Sequence, residues 1–196
     1  MISIPLIRRE LASDLLGRHI YLFGHGARSV AILRQLADTG AQEGTVVLSE
    51  DEESHLSAAA LFRPGLPTGA ISVFSAIATL ALNEAIAGTE LCATPVWPSH
   101  VIVESETVAR SVTETAPTGD RPAYVILGAD IDFRALEEVA QRSIDPNALV
   151  AAFLNALDQW STKYAARGPA AVRGAMRFLP RGQASAGGAK CGLASW

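Results

Sequence analysis

The chain has 196 residues, 49% of them apolar and 18% charged, enough for one domain with a sizeable core and too few for two. This composition excludes intrinsic disorder. A net charge of −4 and a pI near 5.6 leave no basic footprint for nucleic acid or for an anionic membrane.

Of the 16 basic residues only Lys163 and Lys190 are lysines. Cys92 and Cys191 are too few for a disulfide framework and lack metal-ligand spacing, so no metal site is expected. The start has no apolar core of a secretory signal. The apolar stretch from Gly69 to Ala87 is interrupted by Asn83 and Glu84 and fits a buried helix better than a membrane span. A cytoplasmic protein is expected.

In chain order, His19–Phe23 reads as a short strand closed by Gly24-His25-Gly26. Ser29 suits the N-cap of a helix carrying Val30, Leu33, Leu36 and Ala37 on one face and stopping at Gly40. Strands Gly44–Ser49 and Leu56–Arg63 flank the acidic turn Asp51–His55, the pattern of a hairpin. A buried helix opening at Thr68 or Ser72 runs through Ile86. Four strands follow, over Leu91–Val96, Val101–Glu104, Val108–Glu114 and Tyr124–Gly128, with Thr115–Pro122 as a loop. Asp145-Pro146 opens a helix with Leu149, Phe153, Leu157, Trp160 and Tyr164 on one stripe, ending at Gly168-Pro169. A short helix around Ala171–Phe178 precedes a glycine-rich tail, with residues 181–196 expected to be poorly ordered. Hairpin-linked strands interrupted by helices give an α+β class, a mixed β-sheet with helices packed on one face.

Several strings, in order, resemble the biotin/lipoate protein ligase family, biotin-protein ligases above all. Gly40–Ser49 resembles the family's "GAPEGTVVVA", Leu56–Pro64 its "LYLSLLLRP", and Val96-Trp-Pro-Ser-His-Val101 its "KWPNDV". Val108–Glu114 resembles "KLAGILVE", Leu127–Phe133 resembles "GIGINV", and Asp145–Arg173 resembles the closing helix pair. The resemblance spans about Ile20–Phe178. It implies one ligase-like domain over residues 1–180, with the fold shared by class II aminoacyl-tRNA synthetases, and neither the DNA-binding module nor the small β-barrel of larger relatives.

Such a ligase adenylates a carboxylate with ATP and passes the acyl group to a carrier lysine. That chemistry needs cationic donors and backbone N–H groups around the phosphates. The family supplies a Gly/Arg-rich loop and two lysines, and this chain departs at each. Only Glu50–His55 stands where the loop belongs, and Glu52 replaces a biotin-lining glutamine. Val96 replaces the first lysine, Ser99-His100 the Asn-Asp pair, and Thr107 the second lysine. Arg110 replaces a glycine, and Arg28-Ser29-Val30 stands near the Ser-Thr-Asn signature. Losing one electrostatic donor from such a site costs about 3–4 kcal/mol, near a thousandfold in rate. Standard biotinylation is therefore not expected.

Each remaining feature has a sharp reading and a bland one. His25 and Arg28 sit where an anion could bind, or in a glycine-permitted turn. His55, His100 and Glu52 could meet as a metal site, or be unrelated surface residues. Trp97-Pro98 reads as a packed corner, and Cys92 as a buried small hydrophobe. Arg110, on an inward-facing strand, needs either a ligand carboxylate or an acidic partner, for which Glu114 and Asp132 are candidates.

The leading expectation is a divergent ligase-like protein whose pocket takes a small carboxylate. One alternative is an active acyl-protein ligase, with biotin and ATP/Mg as substrates and Arg28, Arg63 or Arg110 on the phosphates. Another is a non-enzymatic subunit forming a homodimer or heteromer through its sheet edges.

Overall fold

In the computed structural model, residues 1–24, 28–51, 55–64, 71–118 and 121–176 are described. His25, Glu52, Lys190, Cys191 and the tail 181–196 lie outside them.

The strands alternate apolar side chains between two faces, and each face has its own helical cover. β1 (Ile20–Phe23), β2 (Val46–Glu50), β3 (His55–Phe62), β4 (Ala93–Val96), β5 (His100–Val103), β6 (Glu106–Thr118) and β7 (Arg121–Asp132) form one sheet in the order β1-β2-β3-β7-β6-β5-β4. Only β1 and β2 run parallel, through α2 (Ser29–Asp38); every other pairing is antiparallel.

Val46, Leu48, Leu56, Ala58, Ala60, Val125, Leu127 and Ile131 face the larger core. There they meet α1 (Ile4–Glu10), α3 (Ile71–Ala87), α4 (Phe133–Ala140), α5 (Pro146–Arg167) and α6 (Pro169–Met176). Val47, Ala59, Leu61, Tyr124 and Ile126 face the other way, under Leu33 and Ala37 of α2. The helices therefore do not all lie on one face, because α2 crosses over between two parallel neighbours. The run Ser57-Ala58-Ala59-Ala60 keeps β3 thin, which lets helices approach from both sides.

α5 follows the sequence closely. The Asp145 carboxylate accepts from the Asn147 N–H at 2.9 Å, Pro146 opens the first turn, and Gly168 ends the helix at φ 65°. Its stripe of Leu149, Phe153, Leu157, Trp160 and Tyr164 is buried.

Four further expectations are corrected. Ser29 is the first helical residue of α2, Arg28 is its N-cap, and Arg28 makes no side-chain capping bond. Thr115–Pro122 is not a loop: β6 and β7 extend to Thr118 and from Arg121, and a register shift between Ala116 and Pro117 accommodates the prolines. Cys92 is exposed just before β4 rather than buried. Trp97 is 45% exposed, so the Trp97-Pro98 corner is not packed. No helix among the described residues is long and apolar enough to cross a membrane.

Candidate functional site

α2 has only ten residues and covers β2, β3 and the start of β7, leaving part of the sheet face beside it open. The opening is a concavity of about 670 Å³, within the range of small-molecule sites. One wall is the first two turns of α2, with Arg28, Val30 and Arg34.

The floor follows from strand register. Ser49 pairs with Ser57, Ser57 with Asp130, Asp130 with Arg110, Arg110 with His100, and His100 with Val96. One cross-strand row thus carries Ser49, Ser57, Asp130, Arg110, His100 and Val96 on the α2 side. The first four line the concavity. His100 and Val96 continue the row beyond it.

The side chains are coupled. The Ser29 and Ser57 hydroxyls share a hydrogen bond of 2.5 Å, with Ser29 fully buried. Arg110 Nη2 donates to Asp130 Oδ2 at 3.0 Å, and the two side chains are 58% and 40% exposed. Arg34 Nε and Nη2 approach the two Glu114 carboxylate oxygens at 2.5 and 3.0 Å. At the rim His55 lies between two carboxylates, with Nδ1 3.7 Å from Asp51 Oδ2 and Nε2 3.6 Å from Asp132 Oδ2. Glu50 accepts from the Ile2 N–H at 3.2 Å and lies 3.5 Å from the chain's amino terminus. Arg28 has no ion pair among the described residues and lies exposed at the wall.

Three guanidiniums therefore stand among four carboxylates, those of Glu50, Asp51, Glu114 and Asp130. No lysine is present in this lining. Lys163 stands on α5, 4.5 Å from the centre of the Trp160 ring.

Of the residues singled out by sequence, Arg28, His55, Arg110 and Glu114 line the concavity, and Ser29 supports it through Ser57. Val96, Trp97, Ser99, His100, Thr107 and Asp132 do not line it. The partner of Arg110 is Asp130, not Glu114 or Asp132. Register puts Asp130 directly across from it, whereas Glu114 is taken by Arg34 and Asp132 caps α4 through the Ala135 N–H at 2.9 Å.

Arg63 does not line the concavity. It donates to the carbonyls of Ala37, Ala41 and Ala123, away from the concavity. His55 and His100 stand on strands separated by β7 and β6, three spacings or about 14 Å apart. They form no metal pair, and among the described residues no group of acids, histidines and cysteines could hold a metal ion.

Sequence reasoning missed Arg34, Ser57 and Asp130. Arg34 stood one turn after Val30 on the same helix, a usable signal. Ser57 and Asp130 could not be placed without the register.

This architecture defines a class. The mixed sheet with packed helices has the fold of the biotin protein ligase catalytic domain, as the resemblance implied. A biotin protein ligase-like protein of unknown function from Silicibacter sp. TM1040 superposes with a TM-score of 0.74 at 16% identity, over 85% of this chain and 79% of that one. The Aquifex aeolicus biotin protein ligase R40G mutant in complex with biotin gives 0.67 at 13% identity, over 81% and 76%. The Leishmania major biotin protein ligase in complex with biotin gives 0.60 at 13%, over 90% and 87%. No family model and no curated protein matches the chain.

Proposed function

We propose that this chain is a small-molecule-binding protein on the biotin ligase fold, divergent from the ligases, that holds a small carboxylate and does not perform standard ATP-dependent biotinylation. The observation that carries this reading is the charge of the concavity. Four carboxylates stand among three guanidiniums, and Arg34 and Arg110 already face acidic partners. A nucleotide triphosphate would bring several more negative charges into that field, where like charges repel. Arg28, without an ion pair among the described residues, offers a whole guanidinium, enough for one carboxylate in bidentate geometry.

Two further features support the reading. β2 and β3 are joined by residues 51–54, and the Asp51 N–H donates to the His55 carbonyl while the His55 N–H donates to the Asp51 carboxylate. That short connection has no room for the dozen extra residues of a Gly/Arg-rich loop. Arg110 also raises a side chain over the floor where the family has glycine.

The test is a thermal-shift panel of small carboxylates, biotin, lipoate and octanoate among them, together with ATP and magnesium. At a hundred times its dissociation constant a ligand stabilises by about 2.7 kcal/mol. The expected result is stabilisation by a carboxylate that Arg28→Gln abolishes, and none by ATP. Stabilisation by ATP would overturn the reading.

A further inference from the structure

The floor of the concavity says more about the ligand than Arg28 does. Arg110 and Asp130 touch through a single contact, Nη2 to Oδ2 at 3.0 Å. Among the described residues, Arg110 Nε and Nη1 and Asp130 Oδ1 have no hydrogen-bond partner, and both side chains are about half exposed. The pair thus keeps unused donors on Arg110 and an unused acceptor on Asp130. The Arg34–Glu114 pair differs: two nitrogens meet two oxygens, so its charges are largely satisfied by each other.

A ligand reaching the Arg110–Asp130 pair with a carboxylate alone would place one anion beside Asp130. A ligand with an ammonium alone would face Arg110. Only a ligand carrying both signs complements both groups. Because the two side chains are in contact, its charges must be separated by only one or two carbons. We infer that the concavity selects a dipolar ligand, an α-amino acid or close analogue, its carboxylate held by Arg28 and Arg110 and its ammonium by Asp130. This rests on the proposed binding role and names its ligand class. Ser49 and Ser57 lie in the same row on the far side of Asp130, and polar neighbours there tolerate the approach of a hydrated ammonium. The remaining volume, beside Val30 and Val112, admits a side chain of moderate size.

Titration calorimetry on the intact protein tests this with three probes of one carbon skeleton: 2-aminooctanoate, octanoate and octylamine, beside a panel of the common amino acids. The expected result is that 2-aminooctanoate or a panel member binds at least tenfold more tightly than octanoate and octylamine. Asp130→Asn should erase that preference while leaving weak carboxylate binding, and Arg28→Gln should weaken every acid. Melting temperatures of the variants show that they are folded. Equal binding of octanoate and 2-aminooctanoate would overturn the dipolar ligand and leave the carboxylate site standing. Binding of a dipolar probe that ignores both Asp130→Asn and Arg110→Met would overturn the assignment to this pair. Binding of no probe, with the carboxylate panel also negative, would overturn both readings.

Discussion

Arg34 on α2 and Glu114 on β6 meet through two contacts, 2.5 Å at Nε and 3.0 Å at Nη2, and so tie the helical wall of the concavity to its floor. The helix is otherwise anchored over β2, β3 and β7 by Leu33 and Ala37. The ion pair therefore sets how far α2 stands from the part of the sheet it leaves open.

Because that pair is partly exposed, its worth in stability is small. A double-mutant cycle with Arg34→Met and Glu114→Gln should give a coupling of about 0.5–1 kcal/mol, falling with added salt. A coupling that persists in 1 M salt would mean that the pair is more buried than described.

Ser29 and Ser57 behave differently because Ser29 is fully buried. Ser57→Ala strands the Ser29 hydroxyl and should cost about 1–2 kcal/mol in denaturant unfolding. Removing both hydroxyls in Ser29→Ala/Ser57→Ala should recover most of that loss. An additive double variant would show that the bond does not couple the two.

Gly128 lies beneath α2, where an added Cβ would come within 2.9 Å of the Ala58 carbonyl oxygen and 3.1 Å of Val30 Cγ2. Gly128→Ala should destabilise by about 1–3 kcal/mol and lift α2 from the sheet. Val30→Ala added to it should return only part of the loss, since the Ala58 backbone cannot yield. The measurement is the unfolding midpoint of the three variants.

Tyr124 donates to Asp38 Oδ1 at 2.9 Å, and burial first, then the Asp38 carboxylate, push its phenol up to about 12. The folded state thus holds this proton more tightly than the unfolded chain, whose phenol ionises near 10. The stabilisation is complete below about pH 10 and is lost as pH rises through 12. Absorbance titration of the wild type against Tyr124→Phe should show one of the three tyrosines ionising late. A phenol titrating near 10 in the folded protein would contradict the buried bond.

Glu137 sits near the end of α4, where the Ile144 N–H and the Ser143 hydroxyl donate to one carboxylate oxygen and lower its pKa. Its contribution is present above the usual carboxylate range and fades as pH falls through the lowered value. Glu137→Gln should therefore flatten the acid limb of the stability profile slightly. An unchanged acid limb would show that these bonds do not persist in solution.

What the sequence disclosed follows from how local each signal was. The Asp145-Pro146 cap, the apolar stripe of α5 and the β2–β3 hairpin rest on residues a few positions apart, and each lies where it was expected. α1 and α4, of seven and eight residues, escaped notice because each carries few turns, whereas the equally short α6 is set off by the Gly168-Pro169 break before it. The partner of Arg110 was illegible for another reason. It depends on the register of β6 against β7, and that register places Asp130, not Asp132, opposite. A bulge between Val101 and Ile102 likewise decides that His100 pairs with Arg110. The losses of charge read from the strings at Val96, Thr107 and the Glu50–His55 turn needed no register. For that reason the departures from the family's charged residues were easier to read than the shape of the concavity.

The central claim is that the ligase fold is retained without adenylation chemistry. Carboxylate-dependent exchange of labelled pyrophosphate into ATP tests it most directly, with biotin, lipoate and octanoate each supplied in turn. Exchange indistinguishable from a protein-free control, for all three acids, is the predicted result. Exchange above that control, lost in Arg28→Gln, would show that the concavity activates carboxylates after all and would contradict the account.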